Sequence, residues 1–332
     1  MHLSLISTAI LSILLPALAA SPSVVDPAAY DPLAPLFEES PLFLDLTITD
    51  QRRHRDIPLR IYLPHEVSAS PVVLFSHGLG GSRETCGYLG EHWASRGYVA
   101  VFVQHPGSDE SVWSEVPVSE RMDSLVAAAG LESFLERVGD VSVVLDRLEE
   151  LNAEDGHELE GRMDLNATGM SGHSFGAVTT QALCGQRTAG GRSIFSDERL
   201  DAAVIMSPSS PRMGTAEQAF GQVEMPWLLM TGTMDDAVIG GADADSRLEV
   251  FPALPEGDKY ELVLYGAEHS AFTERALPGD RETRNPNHHI VIIAISTAFW
   301  DAYLRDDPAA LEWLRGGGPS SVLEPDDSWR WK

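Results

Sequence analysis

The sequence predicts an α/β fold: a mostly parallel central sheet of about eight strands with helices on both faces. Three observations lead there. The runs "PVVLFSH", "YVAVFVQH", "AAVIMS" and "WLLMTG" are almost continuously apolar, as strands buried on both faces are. Segments with helical spacing alternate with them. Turns carrying glycine or aspartate follow several runs, as in "HGLGG", "GHSFGA" and "TGTMDD". Right-handed crossovers would gather these turns at the C-terminal edge of the sheet, where open α/β folds bind their ligands. With 332 residues, 43% of them hydrophobic, the chain can bury one large core.

The elements follow in order. In "MHLSLISTAILSILLPALAA" an apolar run from Leu3 to Leu15 precedes Pro16 and an A-x-A pattern. Residues 1–19 therefore read as a secretory signal peptide, too short to span a bilayer, and the mature protein is expected to be secreted or periplasmic. Residues 20–40, rich in Pro, Ala and Asp, read as an N-terminal arm. A single domain is expected over residues 41–315. It opens with "LFLDLTITD" and "IPLRIYLP", whose alternation suits antiparallel edge strands. The strand "PVVLFSH" leads to a helix from about Arg83 to Arg96, then to "YVAVFVQH". A long helix from Leu131 to Leu151 carries an apolar stripe that includes Phe134, Val138, Val141, Leu145 and Leu148. A short strand, "TGMS", precedes a helix starting at Ser174. "AAVIMS", "WLLMTG" and "YELVLYG" are further strands, and a nearly all-apolar helix from about Asn287 to Leu304 covers the core. "PAALEWL" is a last helix. "GGGPSS" then loosens the chain into a C-terminal tail, residues 316–332.

The net charge of −27, from 50 acidic and 23 basic residues, excludes whole classes of partner. Nucleic acid and anionic membrane bind through clustered Lys and Arg, and the lysines here are Lys259 and Lys332 alone. Neither nucleic-acid binding nor stable membrane insertion is expected. The surface suits an acidic exported protein, or one adapted to high salt. Oligomeric state is not written in the sequence. Cys86 and Cys184 are expected on helices that cover opposite faces of the sheet, too far apart for the roughly 4.4–6.8 Å Cα separation of a disulfide.

The chemistry centres on Gly172-His173-Ser174-Phe175-Gly176. G-x-S-x-G between a strand and a helix places a serine on a sharp turn that only glycines can flank. Serine is a weak nucleophile. It needs a base, and the base needs a carboxylate to orient it. In the order serine, acid, histidine, the sequence offers Asp235 or Asp236 after "WLLMTG" and His269 after "YELVLYG". Being neighbours, the two aspartates point in different directions, so only one can serve His269. An oxyanion would be held by the backbone N–H of Phe175 and a second N–H from the glycine-rich loop after "PVVLFSH", at Leu79.

"FSHGLGG", "GHSFGA", "TGTMD" and "HSAF" resemble α/β-hydrolases grouped around predicted dienelactone hydrolases. "FSHGLG" and "GHSFG" also resemble the platelet-activating-factor acetylhydrolases, and the likeness runs from about Asp45 to Leu314. The resemblance implies the α/β-hydrolase fold and a serine esterase or lipase acting on a small-molecule or lipid-like ester, with no cofactor and no metal. The pattern that "TGTMD" resembles puts the acid at its first aspartate, Asp235, and leaves Asp236 as a solvated neighbour or a cap. There are departures. The acetylhydrolases take their acid from the strand after the nucleophile helix, which here ends in "IMSPSS". Dienelactone hydrolases proper use a cysteine where this chain has Ser174. Cutinase-like polyester hydrolases carry a tryptophan where this chain has Ser209. A polyester hydrolase and a catalytically dead binding protein on the same scaffold are the alternatives.

Other residues are weighed beside these. His77 reads as a brace for the glycine-rich loop, and His173 as packing beside the nucleophile. His105, Asp109 and Trp113 are candidates for the pocket wall. The adjacent pair His288 and His289 lacks the i, i+4 spacing of a metal pair on one helix.

Overall fold

The computed structural model describes residues 30–37, 40–65, 68–277 and 280–332. The predicted signal peptide and most of the arm lie outside them. One nine-stranded sheet organises the chain in the order β1-β2-β4-β3-β5-β6-β7-β8-β9. The strands are β1 (Leu42–Asp50), β2 (Arg55–Leu63), β3 (Ser70–Ser76), β4 (Val99–Val103), β5 (Met163–His173), β6 (Ala202–Met206), β7 (Trp227–Met234), β8 (Lys259–Glu268) and β9 (Ser328–Trp331). From β4 to β8 every pairing is parallel. β2 runs antiparallel to both β1 and β4, and β9 antiparallel to β8.

Helices alternate with these strands: α1 (Gly87–Ser95), α2 (Ser111–Ser114), α3 (Arg121–Ala128), α4 (Leu131–Ala153), α5 (Phe175–Leu183), α6 (Ala216–Phe220), α7 (Ala244–Arg247), α8 (Val250–Ala253), α9 (Pro286–Leu304) and α10 (Pro308–Arg315). They make two cores. On one face α4, α5, α6 and α8 pack Val141, Leu145, Leu183 and Phe220 against Val72 and Leu74 of β3. On the other, α1, α9 and α10 pack Trp93, Ile295, Trp300 and Trp313 against Val73 and Phe75. The period of two along β3 sorts its side chains between the two layers. No helix among the described residues is long and apolar enough to cross a membrane.

Four expectations need correction. The sheet has nine strands rather than eight, because the C-terminal segment read as a loose tail supplies β9. Trp329 stacks on Tyr260 with centroids 5.6 Å apart, and the strand closes the edge left by β8. β2 is an interior strand, with Ile57, Leu59 and Ile61 buried, and of the two only β1 is an edge. The helix expected from Arg83 begins at Gly87, because Cys86 takes a left-handed backbone (φ 64°) that helix cannot propagate. The short strand expected at "TGMS" extends over the eleven residues of β5. Of the predicted arm, Tyr30 is docked on the body by a hydrogen bond to Asp301 (2.7 Å).

Cys86 and Cys184 are both free and buried, and belong to the cores on opposite faces of the sheet. Thiol titration of the denatured, unreduced protein is expected to return two thiols per chain. A return of none would mean that the two helical layers are misplaced.

Candidate active site

β3, β5, β7 and β8 run parallel, so the segments that follow them emerge at one edge of the sheet. Each delivers one candidate group. Ser174 follows β5 with φ 57° and ψ −114°, a conformation unfavourable for a residue bearing Cβ, and starts α5. The turn closes because its glycines let backbone meet backbone. A Cβ on Gly176 would overlap the carbonyl oxygen of Ser76, and one on Gly172 would overlap that of Gly176.

His269 begins the short turn after β8. Its Nε2 lies 2.9 Å from Ser174 Oγ, and its Nδ1 lies 2.6 Å from Asp235 Oδ1. With the ring hydrogen on Nδ1 donated to the carboxylate, Nε2 is left to accept the serine proton. Asp235 is fully buried, and its other oxygen accepts from the Thr231 hydroxyl at 2.9 Å. Burial alone would raise this carboxyl. The hydrogen bond and charge of His269, then the charge of Arg247, outweigh burial and hold it down at about 2. Asp236 points away, is exposed, and accepts from the Ala244 N–H at 3.1 Å. Geometry thus joins Asp235, and not Asp236, to the histidine.

The glycine-rich loop lies beside this chain of groups. Gly78 packs against the Cβ of Ser174. The Leu79 N–H has no acceptor among the described residues, and Phe175, as the first residue of α5, has no intrahelical acceptor for its own. Leu79, Ser174, Phe175 and His269 all line one cleft of about 1410 Å³. Trp113, Leu125, Phe134, Val178 and Phe195 supply its apolar wall. Val118 and Leu131 at its rim are 77% and 71% exposed.

The other candidates take their places around it. His77 braces the loop: its Nδ1 donates to Gly78 O (2.6 Å), and its Nε2 accepts from the His105 N–H (3.1 Å). His173 packs against His269 with its ring tilted by 40° and centroids 4.7 Å apart, and its Nε2 reaches the His269 carbonyl at 3.0 Å. Burial, then the neighbouring His269 charge, pushes His173 down to about 3, which keeps it neutral. His105 and Asp109 are buried beneath the loop and do not line the cleft, unlike Trp113, whose indole N–H donates to Gly80 O (2.7 Å). His289 stacks on Tyr88, and His288 lies against Tyr265 O.

Two arginines escaped the sequence reading. Arg247 is buried against the acid, with Nε 3.1 Å from Asp235 Oδ1 and 2.7 Å from Asp235 O, and its Nη1 donates to the carbonyls of Ser207 and Pro208. It fixes the acid loop from behind. Arg137 lies under the glycine-rich loop. Neither belongs to a local motif: Arg247 stands twelve positions after the acid it supports, and Arg137 about sixty positions after the loop it supports.

Sheet order, serine turn and glycine-rich loop are those of the α/β-hydrolase fold, and the chain has that fold. Residues 62–128 match the family model described as platelet-activating factor acetylhydrolase, isoform II. The chain is similar to that family from the end of β2 through β3, the Leu79 loop and β4 to the end of α3, a stretch that ends well before Ser174. The likeness supports an ester hydrolase. No curated protein matches the chain.

Proposed function

We propose that the protein is an exported serine hydrolase that cleaves carboxylic esters through an acyl-enzyme intermediate. The observation that carries this reading is the unbroken hydrogen-bonded series Asp235–His269–Ser174, opening into a cleft beside two backbone N–H groups free to hold an oxyanion. Ser174 Oγ attacks the ester carbonyl while His269 Nε2 takes its proton. The Leu79 and Phe175 N–H groups hold the resulting oxyanion, and Asp235 holds the imidazolium. The C–O bond to the alcohol breaks as His269 returns the proton to the leaving oxygen. A water molecule, deprotonated by the same histidine, then attacks the acyl-enzyme and releases the acid. Export rests on the leader read over residues 1–19.

The cleft wall favours an apolar substrate. Each buried methylene contributes about 0.8 kcal/mol. Among soluble nitrophenyl esters, kcat/KM is therefore expected to rise about tenfold or more from acetate to hexanoate. Steady-state rates across that series test the reading. A profile falling from acetate onward would show that the apolar wall does not receive the acyl chain. The polyester alternative is less supported, because Ser209 lines the cleft where that reading wants an aromatic clamp.

A further inference from the structure

We propose that Arg137 is a positioning residue that sets the oxyanion donors, acting through the carbonyl groups behind them. This rests on the ester-hydrolase reading and adds to it a residue remote from the reacting atoms.

Arg137 sits in α4, on the buried face of the helix, and is 0% exposed. Among the described residues no carboxylate is bonded to it. Its Nε donates to Ser108 Oγ (2.8 Å), its Nη1 to His77 O (2.7 Å) and Ser76 Oγ (3.3 Å), and its Nη2 lies 3.4 Å from Gly78 O and 3.3 Å from Ser108 O. The guanidinium also lies over the Phe175 ring, 4.5 Å from its centroid. Removing a cation from water without an adjacent anion is expensive, and packing alone would be served by a leucine. What the cation gains is contact with both halves of the oxyanion site at once.

The geometry gives that contact a consequence. A peptide unit is planar and trans, so its C=O and N–H point in opposite directions. The Gly78 carbonyl faces inward to three donors: Arg137, the His77 ring at 2.6 Å and the Gly81 N–H at 3.1 Å. The N–H of the same peptide unit is that of Leu79, and it must therefore point outward to the cleft. Ser108 adds a second tie. Its hydroxyl holds Arg137, and its carbonyl accepts from both Arg137 and the Gly80 N–H (2.9 Å).

A chain of hydrogen bonds through a neutral ring links the cation to a carboxylate. Ser76 Oγ, which accepts from Arg137, lies 2.9 Å from His105 Nε2, and His105 Nδ1 lies 3.0 Å from Asp140 Oδ2. Burial, then the Arg137 charge, pushes His105 down to about 4. The neutral ring donates from Nδ1 to Asp140 and accepts the Ser76 hydroxyl at Nε2. Asp140 in turn is paired with Arg55 at 2.8 Å. Ser76, His105 and Asp140 repeat the connectivity of Ser174, His269 and Asp235, but all three are fully buried, so this array supports the loop and has no access to substrate.

Two variants of the full chain test the proposal. Arg137→Lys keeps the charge and loses the planar fork. Ser108→Ala removes the acceptor of Nε. Kinetics on nitrophenyl butyrate are read beside inhibition by butylboronic acid, whose tetrahedral adduct places an oxygen in the oxyanion position. Arg137→Lys is expected to lower kcat about 100-fold with KM within about threefold, and to weaken the boronate by a similar factor. Ser108→Ala is expected to lower kcat about fivefold with the same split. Fluorophosphonate should still reach one label per chain in both, more slowly in Arg137→Lys, showing the serine and its base intact. Folded Arg137→Lys with near-normal kcat, or a kcat loss without a loss of boronate affinity, overturns the proposal. If that variant does not fold, an unchanged Ser108→Ala does so. A wild-type chain with neither ester turnover nor label would remove the ester-hydrolase reading and this proposal together, a result distinct from active wild type with unaffected variants.

Discussion

Ser174→Ala is expected to keep the fold and to lose ester turnover by about 10⁴- to 10⁶-fold. The effect is this large because in the proposed mechanism the serine Oγ is the atom that forms the acyl bond, and no other hydroxyl stands within reach of His269 Nε2 among the described hydrogen bonds. Residual rate would come from the oxyanion donors and binding alone. Stability should hold or rise slightly, since the side chain is only half-buried in a left-handed backbone conformation whose strain remains. Turnover and melting temperature of the variant, measured side by side, separate lost chemistry from lost folding. A folded variant with near-normal turnover would remove Ser174 from the mechanism.

Asp235→Asn is expected to cost about 10⁴ in turnover, whereas Asp236→Asn should cost less than about threefold. The two residues are adjacent in sequence and opposite in environment. Asp235 is buried and receives the His269 proton donor at 2.6 Å; Asp236 is exposed and caps the Ala244 N–H. An amide at 235 can donate to the imidazole and so favours the wrong tautomer, and it cannot stabilise the imidazolium. It also leaves the buried Arg247 without its anion, so a loss of stability of a few kcal/mol is expected with the loss of rate. Kinetics of both single variants check the assignment, and the reverse ranking would move the acid to Asp236.

What was legible in the sequence follows from burial. β3, β4, β6 and β7 lie between helical layers, so both faces must be apolar and their runs stand out. A parallel sheet then sends the following turns to one edge, which is why Ser174, Asp235 and His269 could be grouped without coordinates. Asp235 and Asp236 could not be separated by spacing alone, because the direction of each side chain depends on the bend after Met234. Strand β9 was hidden by composition. "GGGPSS" signals a loose segment, but the four residues of "SWRW" alternate, and the open edge of β8 makes a strand of them.

Arg137 shows a different limit. The helical stripe of α4 was read through Phe134, Val138 and Val141, and Arg137 and Asp140 share the buried side of that helix. Periodicity assigns charged residues to solvent. A buried cation becomes intelligible only when the carbonyls of His77 and Gly78, sixty and fifty-nine positions away, are placed opposite it. The support of the glycine-rich loop is long-range in sequence, whereas Ser174, Asp235 and His269 are marked by local turns.

The most direct measurement is covalent labelling of the native protein with a fluorophosphonate probe, followed by mass spectrometry of the modified peptide. The probe reacts only with a serine whose hydroxyl is activated by a base and whose phosphoryl oxygen can be held as an oxyanion. One label per chain, on Ser174 and not on the buried Ser76, is the predicted result. An unlabelled native chain, or a label elsewhere while ester turnover persists, would contradict the assignment of Ser174, His269 and Asp235 as the reacting centre.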